Sequence, residues 1–214
     1  MKNSVKAVIV TGGLVMVLLI GVLVWTVAQR AESENDPKPQ VLREESHVLD
    51  DGGPDAVTVV EFLDFECGAC RAAYPEVEQL RQEYDGQITY AVRYFPLPGH
   101  VNSMPAALAA EAAGQQGEFE AMYHRLFETL AEWGEAAEPT PEVFRALADD
   151  LGLDMAAYDE TVADPATTER VRRDRSEGTF LGVEGTPTFF VDGRMVALTG
   201  PGDLERAIVE AQSR

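Results

Sequence analysis

The run Ala56-Val57-Thr58-Val59-Val60-Glu61-Phe62-Leu63-Asp64-Phe65-Glu66-Cys67-Gly68-Ala69-Cys70 decides how this chain folds. Its first ten residues are rich in β-branched and aromatic side chains and read as a strand. After it, Ala73, Tyr74, Val77, Leu80 and Tyr84 recur at helical spacing. Cys67 therefore falls at a strand-to-helix junction, where unpaired N–H groups and the helix dipole favour an anion. A thiolate there is stabilised, and the thiolate is the form that attacks disulfides. Cys67 and Cys70 are the only two cysteines of the chain.

Working outward, Asp85-Gly86 ends the helix, and Ile88 to Phe95 reads as a further strand closed by Pro96 and Pro98. Strand, helix and strand of these lengths form a βαβ unit with a right-handed crossover. Upstream, Ser46 to Leu49 is a short strand ended by the turn cluster Asp50-Asp51-Gly52-Gly53-Pro54. From Asn102 to about Gly182 the pattern is helical. Met104 to Ala113 is alanine-rich, and Phe119, Met122, Tyr123, Leu126, Phe127 and Leu130 form one apolar face. Thr140-Pro141 opens a helix with threonine at the cap, Asp154 caps a short one, and a last insertion helix runs from about Pro165 to Phe180. Strands resume at Gly185 to Val191, turn at Asp192-Gly193 and return over Arg194 to Leu198, before a terminal helix from Pro201 to Gln212. The fold class is α/β, interrupted by a helical insertion at about 100–182.

The chain has 214 residues and a formal net charge of −20, a length that suggests one domain with an insertion. No acidic residue precedes Glu32, so the part of the chain after the uncharged N-terminal run is even more acidic than the total. A nucleic-acid partner would need a basic stripe, and none is present.

Residues Ala7 to Ala28 carry no charge. As a helix this run spans roughly 33 Å, enough for a bilayer core. Lys2 and Lys6 precede it and place the N-terminus in the cytoplasm, with everything after Arg30 outside. The competing reading is a cleavable signal peptide. The run exceeds the usual core of about 7–15 residues, and Thr26-Val27-Ala28 is a poor cleavage site, so an uncleaved anchor is expected. No cysteine lies near enough for lipid attachment. The expected organisation is a cytoplasmic tip and transmembrane anchor at 1–30, a flexible tether at 31–45 containing Pro37 and Pro39, and a domain at 46–214. Either reading exports the folded part, into a compartment that permits disulfide chemistry.

These residues resemble the thioredoxin fold, and more closely the DsbA-like disulfide oxidoreductases. Glu61, six residues before Cys67, falls where that fold keeps a buried acid. Pro75 matches the proline of the active-site helix. Gly185-Thr186-Pro187-Thr188-Phe189-Phe190 resembles the loop that carries the family's cis-proline, and Arg93 to His100 followed by an alanine-rich helix resembles anchored bacterial members. The resemblance implies that Cys67 is the nucleophile and Cys70 the resolving thiol. It implies that Glu61 exchanges a proton with Cys70, and that Thr186 and Pro187 hold substrate. One departure is the pair Gly68-Ala69, where strongly oxidising members carry Pro-His. Neither residue offers a side-chain donor to the Cys67 sulfur, so a potential as high as about −120 mV is not expected.

The rivals for the cysteine pair are weaker. Structural zinc takes four ligands, and His47, His100 and His124 are in no ligand-spaced motif with the two cysteines. A static bridge three residues apart would constrain little of the unfolded chain. No metal and no cofactor is expected. Asp64 and Glu66 are expected to be exposed, and His100 and His124 structural or solvent-facing. The reading is a membrane-anchored, monomeric, extracytoplasmic thiol–disulfide oxidoreductase. Its expected partners are exported proteins with cysteines and a quinone-linked membrane protein that recharges the pair. The alternatives are a reductase, for example in cytochrome maturation, and a metal-binding chaperone. An isomerase fits less well, because the tether is too short and too polar to be a dimerisation domain.

Overall fold

A five-stranded sheet in the order β1-β3-β2-β4-β5 organises residues 40–134 and 136–214, the part of the chain that this computed structural model describes. The expected anchor at 1–30 and the tether as far as residue 39 lie outside the described residues. Among the described residues, no helix is long and apolar enough to cross a membrane.

The predicted βαβ unit forms. β2 (Val57–Leu63) pairs in parallel with β3 (Ile88–Tyr94) across α1 (Gly68–Glu83). β1 (His47–Asp50) lies antiparallel on the outer edge of β3. On the other side, β4 (Thr188–Val191) is antiparallel to β2, and β5 (Arg194–Met195) completes the sheet. Between β3 and β4 run α2 (Ser103–Gly114), α3 (Phe119–Trp133), α4 (Pro141–Asp150), α5 (Met155–Ala163) and α6 (Pro165–Phe180); α7 (Asp203–Gln212) closes the chain.

β2 is central and buried at every position except Thr58, so its side chains alternate between two cores. Val60 and Phe62 join the smaller core with Ala91, Phe95, Val183 and Phe190. Val59 and Leu63 face the larger core, with Tyr90, Val92 and Tyr94 of β3 and the apolar face of α3. Glu61 sits between Val59 and Leu63 in that alternation, so the strand itself directs it into the larger core. Six buried alanines of α2 keep that helix thin, and the rest of the insertion packs closely around it. Trp133 and Phe144 meet edge to face with centroids 4.9 Å apart and lock α3 to α4.

The expected helix starts hold with one change of role. Asp154 accepts hydrogen bonds from the N–H groups of Ala156 and Ala157 and caps α5. Thr140 does precede Pro141 at the start of α4, but its hydroxyl makes no cap; it donates to Asn102 Oδ1 at 3.2 Å. The returning strand is shorter than expected. Only Arg194–Met195 is strand, although Val196 N still donates to Phe189 O at 2.8 Å. α7 begins at Asp203, after Gly202 with φ of 77°, because the Asp203 carboxylate accepts from the N–H groups of Thr199 and Gly200 and holds that segment as a turn.

Residues 40–43, inside the stretch read as tether, lie against the domain. Arg93 is fully buried and donates to the carbonyls of Gln40 and Val41 at 2.8 and 3.3 Å, while pairing with Asp174 and Glu177 of α6. Arg43 pairs with the same Glu177.

Candidate active site

Cys67 is the N-cap residue of α1, with an extended backbone (φ −74°, ψ 120°), and its N–H donates to the carbonyl of Asp64 at 3.0 Å. That turn ends β2 and starts the helix, so the sulfur stands where the first amides of α1 point outward. Cys67 is 7% exposed and Cys70, one turn in, 1%. Both are free thiols, and the Cys67 thiol donates to the carbonyl oxygen of Thr186 at 3.4 Å. The Thr186–Pro187 peptide bond is cis. The loop from β4 thus faces the helix start across the sulfur, and the Thr186 hydroxyl oxygen is buried there without a partner among the described residues.

The two sulfurs are pushed apart in acidity. Cys67 is lowered to about 5, first by a hydrogen bond from the Cys70 thiol, then against burial by Thr186 and by the N–H groups of Cys70 and Ala69. Cys70 is raised well above its usual value by burial, by its bond to Cys67 and by the negative potential of Glu61. One sulfur is therefore a thiolate near neutral pH and the other a thiol.

Glu61 is 2% exposed and accepts a hydrogen bond from the hydroxyl of Tyr90, which lies on the same face of the neighbouring strand. Burial pushes its carboxyl up to about 7, against the Tyr90 bond. A carboxyl at that value exchanges protons near neutrality, and its influence reaches Cys70. The structure therefore brings together Cys67, Cys70, Glu61, Thr186 and Pro187.

Asp64 and Glu66 correct the expectation of exposure: they are 2% and 9% exposed. Their burial is offset by hydrogen bonds from the backbone. Asp64 accepts from Glu66 N and Leu97 N, both at 2.9 Å, and from His100 Nδ1 at 2.7 Å. Glu66 accepts from Asn102 N at 2.7 Å, and burial raises its pKa. The loop after β3 is thereby tied to the turn that carries Cys67. His124 bonds the Tyr74 hydroxyl at 2.7 Å where α1 packs against α3. Tyr90, Asp64 and His100 were not among the residues the sequence singled out for chemistry. The sequence signals for His100 are the turn Pro96-Leu97-Pro98-Gly99, which closes β3, and its place at the end of the Arg93 to His100 stretch that carries part of the resemblance.

A thioredoxin family profile matches residues 45–210. A thioredoxin-like oxidoreductase from Silicibacter pomeroyi superposes with a TM-score of 0.68 at 29% identity, covering 84% of this chain and 99% of that one. BdbD from Bacillus subtilis superposes at 0.69 with 19% identity, covering 83% and 98%. Wolbachia pipientis alpha-DsbA1 does so at 0.69 with 17% identity, covering 81% and 94%. Among curated relatives, the Na(+)/H(+) antiporter NhaA of Herminiimonas arsenicoxydans is 34% identical over 208 residues, which are 94% of this chain and 32% of that protein. NhaA 1 of Salinispora arenicola is 41% identical over 139 residues, 64% of this chain and 20% of that protein. The chain spans about a third or less of the length of these two curated relatives. It belongs to the thioredoxin family and shares its fold with the BdbD and alpha-DsbA1 structures.

Proposed function

We propose that this chain oxidises cysteine pairs of exported proteins, with Cys67 as the exchanging sulfur, Cys70 as the resolving thiol and Glu61 as the proton carrier of Cys70. The observation that carries the reading is the opposed state of the two sulfurs at one helix start. Starting from the Cys67–Cys70 disulfide, a client thiolate attacks the Cys67 sulfur. The enzyme's S–S bond breaks, and Cys70 leaves with its electron pair and takes a proton from Glu61. The second client thiolate then attacks the client sulfur of the mixed disulfide. A client disulfide forms, and Cys67 leaves as a thiolate, a good leaving group because its pKa is low. Two electrons pass from the client to the enzyme's dithiol, and Glu61 regains its proton from solvent.

Thr186 and Pro187 hold the client chain beside Cys67 in an extended form, as in strand addition. An apolar cleft lined by Ala73, Val77, Phe189, Leu198 and Leu204 adjoins this loop and supports that reading. The pair must be recharged after each cycle, and a quinone-linked membrane protein is the proposed acceptor. The long uncharged run Ala7 to Ala28 supports a single-pass anchor with the domain outside. The transport named for the antiporter relatives belongs to proteins about three times or more the length of the shared stretch.

Trapping tests the assignment. Cys70→Ser leaves mixed disulfides unresolved, so client adducts accumulate on Cys67; Cys67→Ser gives none. Adducts at Cys70 in the Cys67 variant, with none in the converse, would reverse the roles. The net direction is read from the redox equilibrium of the full chain with glutathione. A potential near the thioredoxin value of about −270 mV would make it a reductase instead. N-terminal sequencing of the membrane-fraction protein checks the anchor, and a mature chain beginning near Gln29 would rule it out.

A further inference from the structure

The surroundings of Cys67 are acidic. Asp64 lies in the same turn, with its carbonyl on the Cys67 N–H, and Glu66 is the preceding residue; both are buried. Glu61 lies behind Cys70. A thiolate in such a place gains from the helix amides but loses to each carboxylate. One cation enters the cluster from another part of the chain. The segment after β3 turns through Gly99, whose φ of 97° suits glycine, and delivers His100 to Asp64, Nδ1 to Oδ2, at 2.7 Å. The Asp64 carboxylate is inaccessible and the imidazole one-third exposed, so the ring is clamped on one side and open on the other. Arg71, in the first turn of α1, is exposed, where solvent screens its charge.

We propose that His100, clamped by Asp64, is the cation that balances the Cys67 thiolate of the reduced enzyme, doing from the β3–α2 segment what no side chain at Gly68-Ala69 can do. It is a positioning and charge-balancing group and takes no part in bond making. The titratable groups that face it are Asp64, Glu66 and Cys67. Burial alone would lower the His100 pKa. The hydrogen bond to Asp64 and the charges of Asp64, Glu66 and Cys67 outweigh burial, so the ring keeps its proton to higher pH than a free imidazole. Coupling between two sites is reciprocal. If imidazolium favours the thiolate, the thiolate holds the proton on His100, and loss of the thiolate on disulfide formation must release it more easily.

This inference rests on Cys67 being the exchanging sulfur, but its readout is separate from trapping. The His100 titration is followed by NMR on the full chain, once reduced and once oxidised. The expected result is a higher His100 pKa in the reduced chain, by about 0.5, the size of a partly solvated charge pair. His100→Gln should raise the Cys67 pKa by a similar amount. It should also shift the glutathione equilibrium about threefold toward the disulfide, or about 15 mV, at 30 mV per tenfold. His100→Lys should restore both, and Arg71→Gln should change neither. An identical His100 titration in the two redox states would overturn the inference while leaving the trapping result intact. So would a Cys67 pKa that follows Arg71 and ignores His100. If His100→Gln fails to fold, the wild-type titrations decide alone.

Discussion

Glu61 shows how one residue trades stability for chemistry. An exposed carboxyl titrates near 4.5, and burial moves this one to about 7. The folded state therefore disfavours the charged form. The cost is absent below pH 4.5, grows as pH rises and levels off above about 7. A tenfold change in proton affinity is worth about 1.4 kcal/mol, so the full cost is about 3–4 kcal/mol. Glu61→Gln should thus stabilise the reduced chain by about 3 kcal/mol at pH 8 and hardly at all at pH 4. It should also slow the release of Cys70. Urea unfolding at both pH values checks the first point, and a stability change independent of pH would contradict the account. The two cysteines stand out in the sequence by their place at a strand-to-helix junction, and Glu61, Thr186 and Pro187 only through the family resemblance; the structure places the Thr186–Pro187 loop on the Cys67 sulfur and Glu61 within reach of Cys70. Asp64 and His100 do not stand out, because the burial of Asp64 depends on a loop more than thirty residues away that only the folded chain brings to it.

At the scale of elements, the helix start at Cys67 is held by the insertion as well as by the sheet. Asn102, fully buried, is the link. Its N–H binds Glu66 beside Cys67, its Nδ2 donates to the carbonyl of Trp133 at the end of α3, and its Oδ1 accepts from Thr140 N at the start of α4. Its side chain ties α3 to α4, and its backbone N–H ties both to the site. Asn102→Ala should destabilise the chain by about 1–3 kcal/mol, because the half-buried Thr140 N–H loses its partner and the Trp133 carbonyl keeps only the long bond from Ala136 N. Denaturant unfolding measures this, and a loss under about 1 kcal/mol would show that water or relaxation replaces the bonds. Helices are readable here from period and caps. The Thr140 hydroxyl is not the cap its position suggests, because its partner, Asn102, lies 38 residues earlier in the sequence. The return strand is shorter than its composition suggests, since Val196-Ala197-Leu198 is strand-like but only its first residue finds a bond on β4.

For the molecule as a whole, the order of elements is enough to read the βαβ unit, the inserted helices and the returning hairpin. The sheet order is not readable, because placing β1 outside β3 and β4 beside β2 is decided by which faces bury together. That order sets β2 at the centre, buries Glu61 and brings the Thr186–Pro187 loop against the helix start. The central claim is that this arrangement makes one sulfur a thiolate and keeps the other a thiol. Titration of thiolate absorbance against pH in the reduced full chain tests it most directly, with Cys70→Ser to assign the transition. The expected result is one transition near pH 5 from Cys67 and a second well above pH 9 from Cys70. Two ordinary thiols, both titrating at about 8.5, would contradict it.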